Sequence, residues 1–218
     1  MTHRRVLIAG ATGLVGSKVL HGLLDDGSVS EVHALCRREL DTRHAKLTIH
    51  VVDFQKLPAL PPIDEVYLAL GTTIKQAGSP SAFRAVDFDA NFAVAQAALQ
   101  AGARRFGLVS AMAANARSRV FYNRVKGELE EAMEALSLET LVIVRPSFLL
   151  GDREALNQPA RRGEKVGIWL SERLRPLLPA NYRPVKASRV ARALLATVPV
   201  SRGMTVLMSG ELQHFAGH

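Results

Sequence analysis

Short runs of β-branched and aliphatic residues alternate with longer stretches whose apolar positions recur every three to four residues, as far as about position 145. That alternation is the pattern of βαβ units, in which helices cover both faces of a parallel sheet. It predicts strands at 6–9, 32–35, 47–52, 66–70, 106–110 and 141–144, and helices at 13–25, 82–101 and 122–136. In the second helix Ala90, Ala93, Val94, Ala97, Ala98 and Ala101 give a small-residue face suited to lying close against a sheet. Beyond Pro146 the period weakens. There 167–178 is the most helix-like portion, 188–198 reads as a helix with Val190, Ala191, Leu194 and Leu195 inward, and 204–208 as a last short strand. The expected fold class is α/β, a doubly wound and mostly parallel sheet. No shift in composition marks a boundary, so residues 1–218 are read as one domain, with 146–218 a small C-terminal extension on the substrate side.

A net charge of +8 favours an acidic partner, whether nucleic acid, an anionic membrane or a phosphorylated small molecule. The basic residues fall in scattered pairs, Arg4-Arg5, Arg37-Arg38, Arg104-Arg105 and Arg161-Arg162, without interleaved aromatics, which disfavours nucleic acid. Cys36 is the sole cysteine, so an intrachain disulfide is ruled out, and a reducing compartment, the cytoplasm, is the expected location. The apolar run in MTHRRVLIAG is too short for a signal core, and LVIVRPSFLL is broken by Arg145 and Pro146, so no membrane span is expected. The seven histidines show no close metal-ligand spacing, and no metal is assigned.

The segment VLIAGATGLVGS places Gly10, Gly13 and Gly16 between a predicted strand and a predicted helix, where a dinucleotide-binding fold needs backbone free to approach a pyrophosphate. Gly10 suits the tight turn, Gly13 removes a side chain from the path of the phosphate, and Gly16 allows close packing of helix on strand. Ala11, Thr12, Leu14 and Val15 complete the loop. A site preferring NAD would carry an acid at the end of the second strand; here Cys36, Arg37 and Arg38 stand there, which favours NADP(H). Arg37 is the first choice for the 2′-phosphate and Arg38 the second. Asp53, ending the third strand, is either an acceptor for the adenine amino group or a turn former. Gly71, Thr72 and Thr73 end the fourth strand and would lie over the cofactor.

Tyr122 and Lys126 are four positions apart in a helical stretch, so both side chains leave one face. An ammonium beside a phenol eases its ionisation, which suits proton donation to a carbonyl oxygen as hydride is delivered. Asp87 and Asn91 also share a helical face, and are read either as support for a site water or as an ordinary polar face.

The ordered set GATGLVGS, CRR, LALGTT, VSAMAA, FYNRVKGELE and RPSFLLGDR resembles the short-chain dehydrogenase/reductases, a Rossmann-fold family, and within them the atypical branch of HIV-Tat-interacting-protein-like oxidoreductases. The resemblance runs from about Val6 to Val198. It implies Tyr122 and Lys126 as the catalytic pair, with Lys126 also holding the nicotinamide ribose, Gly10, Gly13 and Gly16 as pyrophosphate contacts, Arg37 as the NADP selector and the Arg145 segment as lining the substrate and cofactor side. One departure stands out: Ala111 occupies the place where relatives carry a second hydroxyl. Ser110 can serve instead only if its strand ends early or twists, since adjacent strand residues face opposite ways. Loss of one such hydrogen bond would cost about 2–4 kcal/mol in the transition state.

The expected function is an NADPH-dependent oxidoreductase acting on a carbonyl or conjugated double bond of a small-molecule substrate. The alternative is an NADPH-binding redox sensor or scaffold that presents its surface to a protein partner. A homodimer paired through helices 82–101 and 122–136 is the quaternary option the resemblance offers.

Overall fold

Residues 4–9 alternate their burial with the pleat: Val6 and Ile8 pack into one core, Leu7 and Ala9 into another on the opposite face. A strand buried on both faces is the centre of a parallel sheet, and the computed structural model, which describes residues 3–150 and 179–215, shows that sheet. Its strands are β1 (Arg4–Ala9), β2 (Val29–Cys36), β3 (Leu47–Val51), β4 (Glu65–Leu68), β5 (Arg105–Val109) and β6 (Thr140–Arg145). Two-residue strands β7 (Leu149–Leu150) and β8 (Val185–Lys186) pair separately, and β9 (Gly203–Met208) returns to the main sheet beside β6. The spatial order is β3-β2-β1-β4-β5-β6-β9, with every neighbouring pair parallel. The order reverses between β1 and β4, and a crevice for ligands forms at such a switch point, beyond the carboxyl ends of the strands.

Helices α1 (Leu14–Asp25), α2 (Ile74–Ala77), α3 (Pro80–Arg84), α4 (Asn91–Gln100), α5 (Phe121–Glu134), α6 (Ala187–Thr197) and α7 (Ser209–Leu212) connect the strands. Val19, Leu20 and Leu23 of α1 pack with Val190 and Leu194 of α6 on one face of the sheet. Val94, Ala95 and Ala98 of α4 pack with Leu129 and Met133 of α5 on the other. At the opposite end from the crevice, the buried Glu65 carboxylate accepts from the Tyr67 hydroxyl at 2.5 Å and from Arg4 at 2.7 and 2.9 Å, so a charge removed from water is fully bonded.

Two expectations need correction. The helix expected at 82–101 is present but not regular: α3 runs without a break into a π-helical turn, Ala85–Ala90, and on into α4. The Asn91 amide nitrogen donates to the carbonyls of Val86 and Asp87, which stabilises the wider turn. The strand expected at 66–70 stops at Leu68, because the Leu70 carbonyl is taken by that same amide instead of by a strand partner. The helix expected at 167–178 and the GDR end of RPSFLLGDR lie outside the described residues.

Candidate functional site

At the end of β1 the chain turns through Gly10, whose φ is +96°, a conformation that side-chain-bearing residues rarely adopt. A Cβ there would also fall 2.4 Å from the carbonyl carbon of Ala69, just past the end of β4 across the switch point. Gly13 donates its amide to the Gly10 carbonyl at 2.9 Å and caps α1 without a side chain. The first turn of α1 holds no acidic residue and receives no side-chain cap, so its leading amides point out with nothing of the helix to satisfy them. Ala11, Leu14, Val15 and Gly16 are buried behind this loop and Thr12 is exposed at its crest. Bare backbone, uncapped amides and the positive end of a twelve-residue helix fit a diphosphate.

Arg37 and Arg38 follow β2 directly, are exposed, and make no hydrogen bond or ion pair among the described residues. Cys36 beside them is buried, and that burial, helped by Glu39, pushes its thiol up to about 11. Asp53 is exposed just past β3, forms an antiparallel bridge with Lys56, and accepts the Gln55 amide at 2.9 Å, as a turn former does. His33 and His50, distant in sequence, meet across β2 and β3 with ring nitrogens 3.0 Å apart, a pairing that spacing along the chain did not reveal.

Beyond β4, Gly71 is exposed, and Thr73 caps α2 by accepting the Gln76 amide at 3.1 Å, which occupies the hydroxyl as a local cap. The Thr72 amide donates to Asp87 Oδ2 at 2.8 Å. The other oxygen of Asp87 lies 2.8 Å from Nζ of Lys126, and both side chains are buried. An ideal Cβ on Gly71 would stand 3.6 Å from Asp87 Oδ1 and 3.9 Å from Lys126 Nζ, so an exposed glycine lies directly beside this ion pair. Burial works against the Lys126 charge, but the Asp87 carboxylate, and after it Tyr122, outweigh that effect and hold the ammonium above the ordinary lysine range. Removing either member of such a pair would leave a lone charge inside the protein, at a cost of about 3–5 kcal/mol.

Tyr122, one turn before Lys126 on α5, is half-buried against the Phe83 ring of α3, with centroids 5.4 Å apart. Strand β5 ends at Val109, and Ser110 lies just beyond it, its amide still bonded to the Val144 carbonyl at 2.9 Å and its buried hydroxyl without a partner among the described residues. The Asn91 side-chain oxygen, also buried, is likewise without a partner among the described residues. Arg145, at the end of β6, grips Glu130 of α5 through two of its guanidinium nitrogens, Nε at 3.1 Å and Nη2 at 2.5 Å. It ties helix to strand there, and that grip accounts for its donors on this face.

Among the described residues the loop of 10–16, Gly71, Thr72, Ser110, Tyr122 and Lys126 thus gather at the carboxyl edge of the sheet, around the switch point. Asp87 is the member that sequence patterning undervalued. Its one mark was a polar pair, Asp87 and Asn91, four apart in an alanine-rich helix.

A family model described as NAD(P)H-binding matches residues 10–168. The chain belongs to this NAD(P)H-binding family. Among its relatives, the mitochondrial protein FMP52 of Eremothecium gossypii is 37% identical over 169 residues, 76% of this chain and 75% of that protein. Protein HTATIP2 of Rattus norvegicus is 33% identical over 226 residues, 98% of this chain and 90% of its own length. A solved structure of MoeE5 with UDP-glucose and NAD superposes with a TM-score of 0.70 at 22% identity, covering 93% of this chain and 75% of that one, a likeness of fold. Within the NAD(P)H-binding family the chain is an atypical short-chain dehydrogenase/reductase with a Rossmann-like α/β fold.

The cytoplasmic location expected from composition is overturned by these relatives, since several fungal FMP52 proteins are named as mitochondrial. A single buried thiol excludes a disulfide framework, but it does not tell one thiol-preserving compartment from another. Among the described residues no helix is long and apolar enough to cross a membrane.

Proposed function

We propose that this chain is an NADP(H)-dependent oxidoreductase that reduces a carbonyl or conjugated double bond of a small molecule, or runs the reverse oxidation. The observation that carries the reading is a charged, buried Lys126 one helical turn from a half-buried Tyr122 at the edge where the glycine loop opens. Bound there, the nicotinamide supplies or accepts the hydride. Tyr122 delivers its phenolic proton to the substrate oxygen as negative charge develops on it, and Lys126 favours the phenolate left behind. Ser110, with its unpartnered hydroxyl, donates a hydrogen bond to the same oxygen and offsets the absence of a hydroxyl at Ala111. Gly10 to Gly16 hold the diphosphate by backbone amides. Arg37, with Arg38 beside it, holds the 2′-phosphate; both are exposed at the end of β2, with guanidinium groups unengaged among the described residues. Residues 1–218 act as one domain, with 146–218 shaping the substrate side.

NADPH oxidation across a panel of small carbonyl compounds tests this. Turnover in Tyr122→Phe should fall by about 10²–10⁴; turnover that survives undiminished removes Tyr122 from the mechanism. A second reading, an NADPH-binding sensor or scaffold without turnover that meets a protein partner, is favoured by Ala111. It gains if nucleotide binds and Ala111→Ser awakens no activity with any substrate.

A further inference from the structure

We infer that Asp87 is the positioning residue for Lys126: its carboxylate fixes the ammonium at the carboxyl edge of the sheet and keeps it charged before any nucleotide arrives. The inference rests on the assignment of Tyr122 and Lys126 as the reacting pair, and extends it to the element that holds them.

Three features of the geometry support it. The two Asp87 oxygens are divided between two partners in different segments, Lys126 Nζ on α5 and the Thr72 amide after β4, each at 2.8 Å. Oδ2 is hydrogen-bonded to the Thr72 amide and Oδ1 is ion-paired with Lys126, so the carboxylate cannot swing away from the lysine without breaking its hydrogen bond to the crevice wall. The π-helical turn that carries Asp87 is secured by the Asn91 amide, whose nitrogen reaches Leu70, Val86 and Asp87 carbonyls at 3.2–3.3 Å. Gly71 covers the pair with no side chain, which leaves the ammonium close to the crevice although it is buried from water.

The other charged and titratable groups around Lys126 do not replace Asp87. Tyr122 and Glu130 share its helix; Glu130 is gripped by Arg145 of β6, and Tyr122 is neutral until it ionises. On α3, Arg84 is paired with Glu128 near the surface. Burial alone would lower the affinity of Lys126 for its proton, and Asp87 is the first group acting against that effect. A neutral amine would neither favour a phenolate nor hold its place by charge, so the Tyr122 chemistry depends on a carboxylate that touches neither substrate nor cofactor.

The test is a pH titration of lysine side-chain resonances by NMR in the nucleotide-free protein, with Lys126→Met identifying the Lys126 signal. In Asp87→Asn, which keeps an acceptor for Thr72 but removes the charge, Lys126 should hold its proton at least about tenfold less tightly than in the parent. Asp87→Glu, which keeps the charge, should restore most of that difference. An unchanged Lys126 midpoint in Asp87→Asn overturns the inference, as does an equal shift in Asp87→Asn and Asp87→Glu. Should Asp87→Asn not fold, Lys126→Met is compared with the neutral double variant Lys126→Met/Asp87→Asn. The double variant is expected to melt at the higher temperature, because it leaves no lone buried charge; an equal or lower Tm overturns the inference. None of these measurements needs substrate or nucleotide, so their failure would leave the reductase reading standing, and failure of that reading would leave them intact.

Discussion

A Cβ placed on Gly16 would lie 2.0 Å from the carbonyl oxygen of Gly10, closer than any two unbonded heavy atoms can sit. The obstacle is backbone at the heart of the turn and has no rotamer to escape into. Gly16→Ala should therefore force α1 away from β1, destabilise the protein by about 1–3 kcal/mol and abolish the heat of nucleotide binding. Gly27→Ala, where nothing lies within 4 Å of the added carbon, should leave both properties unchanged. Thermal melts and calorimetry of the two variants check the contrast, and equal behaviour would break the link between loop packing and binding.

Arg37 is exposed and unengaged among the described residues, so its replacement should cost the fold little. If it holds the 2′-phosphate, Arg37→Ala weakens NADPH binding by roughly ten- to a hundredfold, the worth of a charge-assisted hydrogen bond at about 1.5–3 kcal/mol. NADH binding should stay as it was. Titration of both nucleotides at fixed salt decides, and equal loss for the two would argue against a selecting role.

Cys36 sits one residue from that arginine, yet its thiol is pushed up to about 11 by burial and, second, by Glu39. Near neutral pH almost none of it is thiolate, the form that reacts. Alkylation by iodoacetamide should be slow in the native protein and rapid once urea unfolds it. Fast labelling of the native chain would contradict the burial.

Asp64 is held below the ordinary aspartate range, first by the Arg5 side chain, whose nitrogens bond it at 2.9 and 3.1 Å. Asp26 is lowered too: burial pushes it up, but the Ser28 hydroxyl and amide and the Arg4 guanidinium outweigh that. A carboxylate with a depressed folded pKa contributes stability that is complete above the unfolded value of 3.8 and fades as pH falls through the folded one. The urea midpoint should therefore drop as pH is lowered from about 5 towards about 2, and Asp64→Asn should flatten part of that slope. A slope identical in the variant would show that Asp64 contributes nothing to it.

Most of the fold was legible because its signals are local. Val6 to Ala9, Leu141 to Val144 and the helix after Gly13 carry strong periodicity, and the glycine loop announces itself at the seam between strand and helix. The pairing of Tyr122 with Lys126 was legible for the same reason, as a helical spacing. What stayed hidden depends on partners distant in the chain. Asp87 meets Lys126 across 39 positions, and Arg145 turns to Glu130, choices that a one-dimensional pattern does not contain. Ser110 was ambiguous because its orientation hung on where β5 stops, and the strand stops one residue before it.

The wide turn of Ala85–Ala90 carries a rule about insertions and deletions. A π-turn holds one residue more than an α-turn, so excising a residue here would tighten it to α geometry and leave α4 facing much as it does. Val94, Ala95 and Ala98 would keep their place in the interior, while Asp87 lost its line to α5. This stretch should accept exchanges of many surface side chains, yet its length should be as strictly kept as the spacing of the glycines.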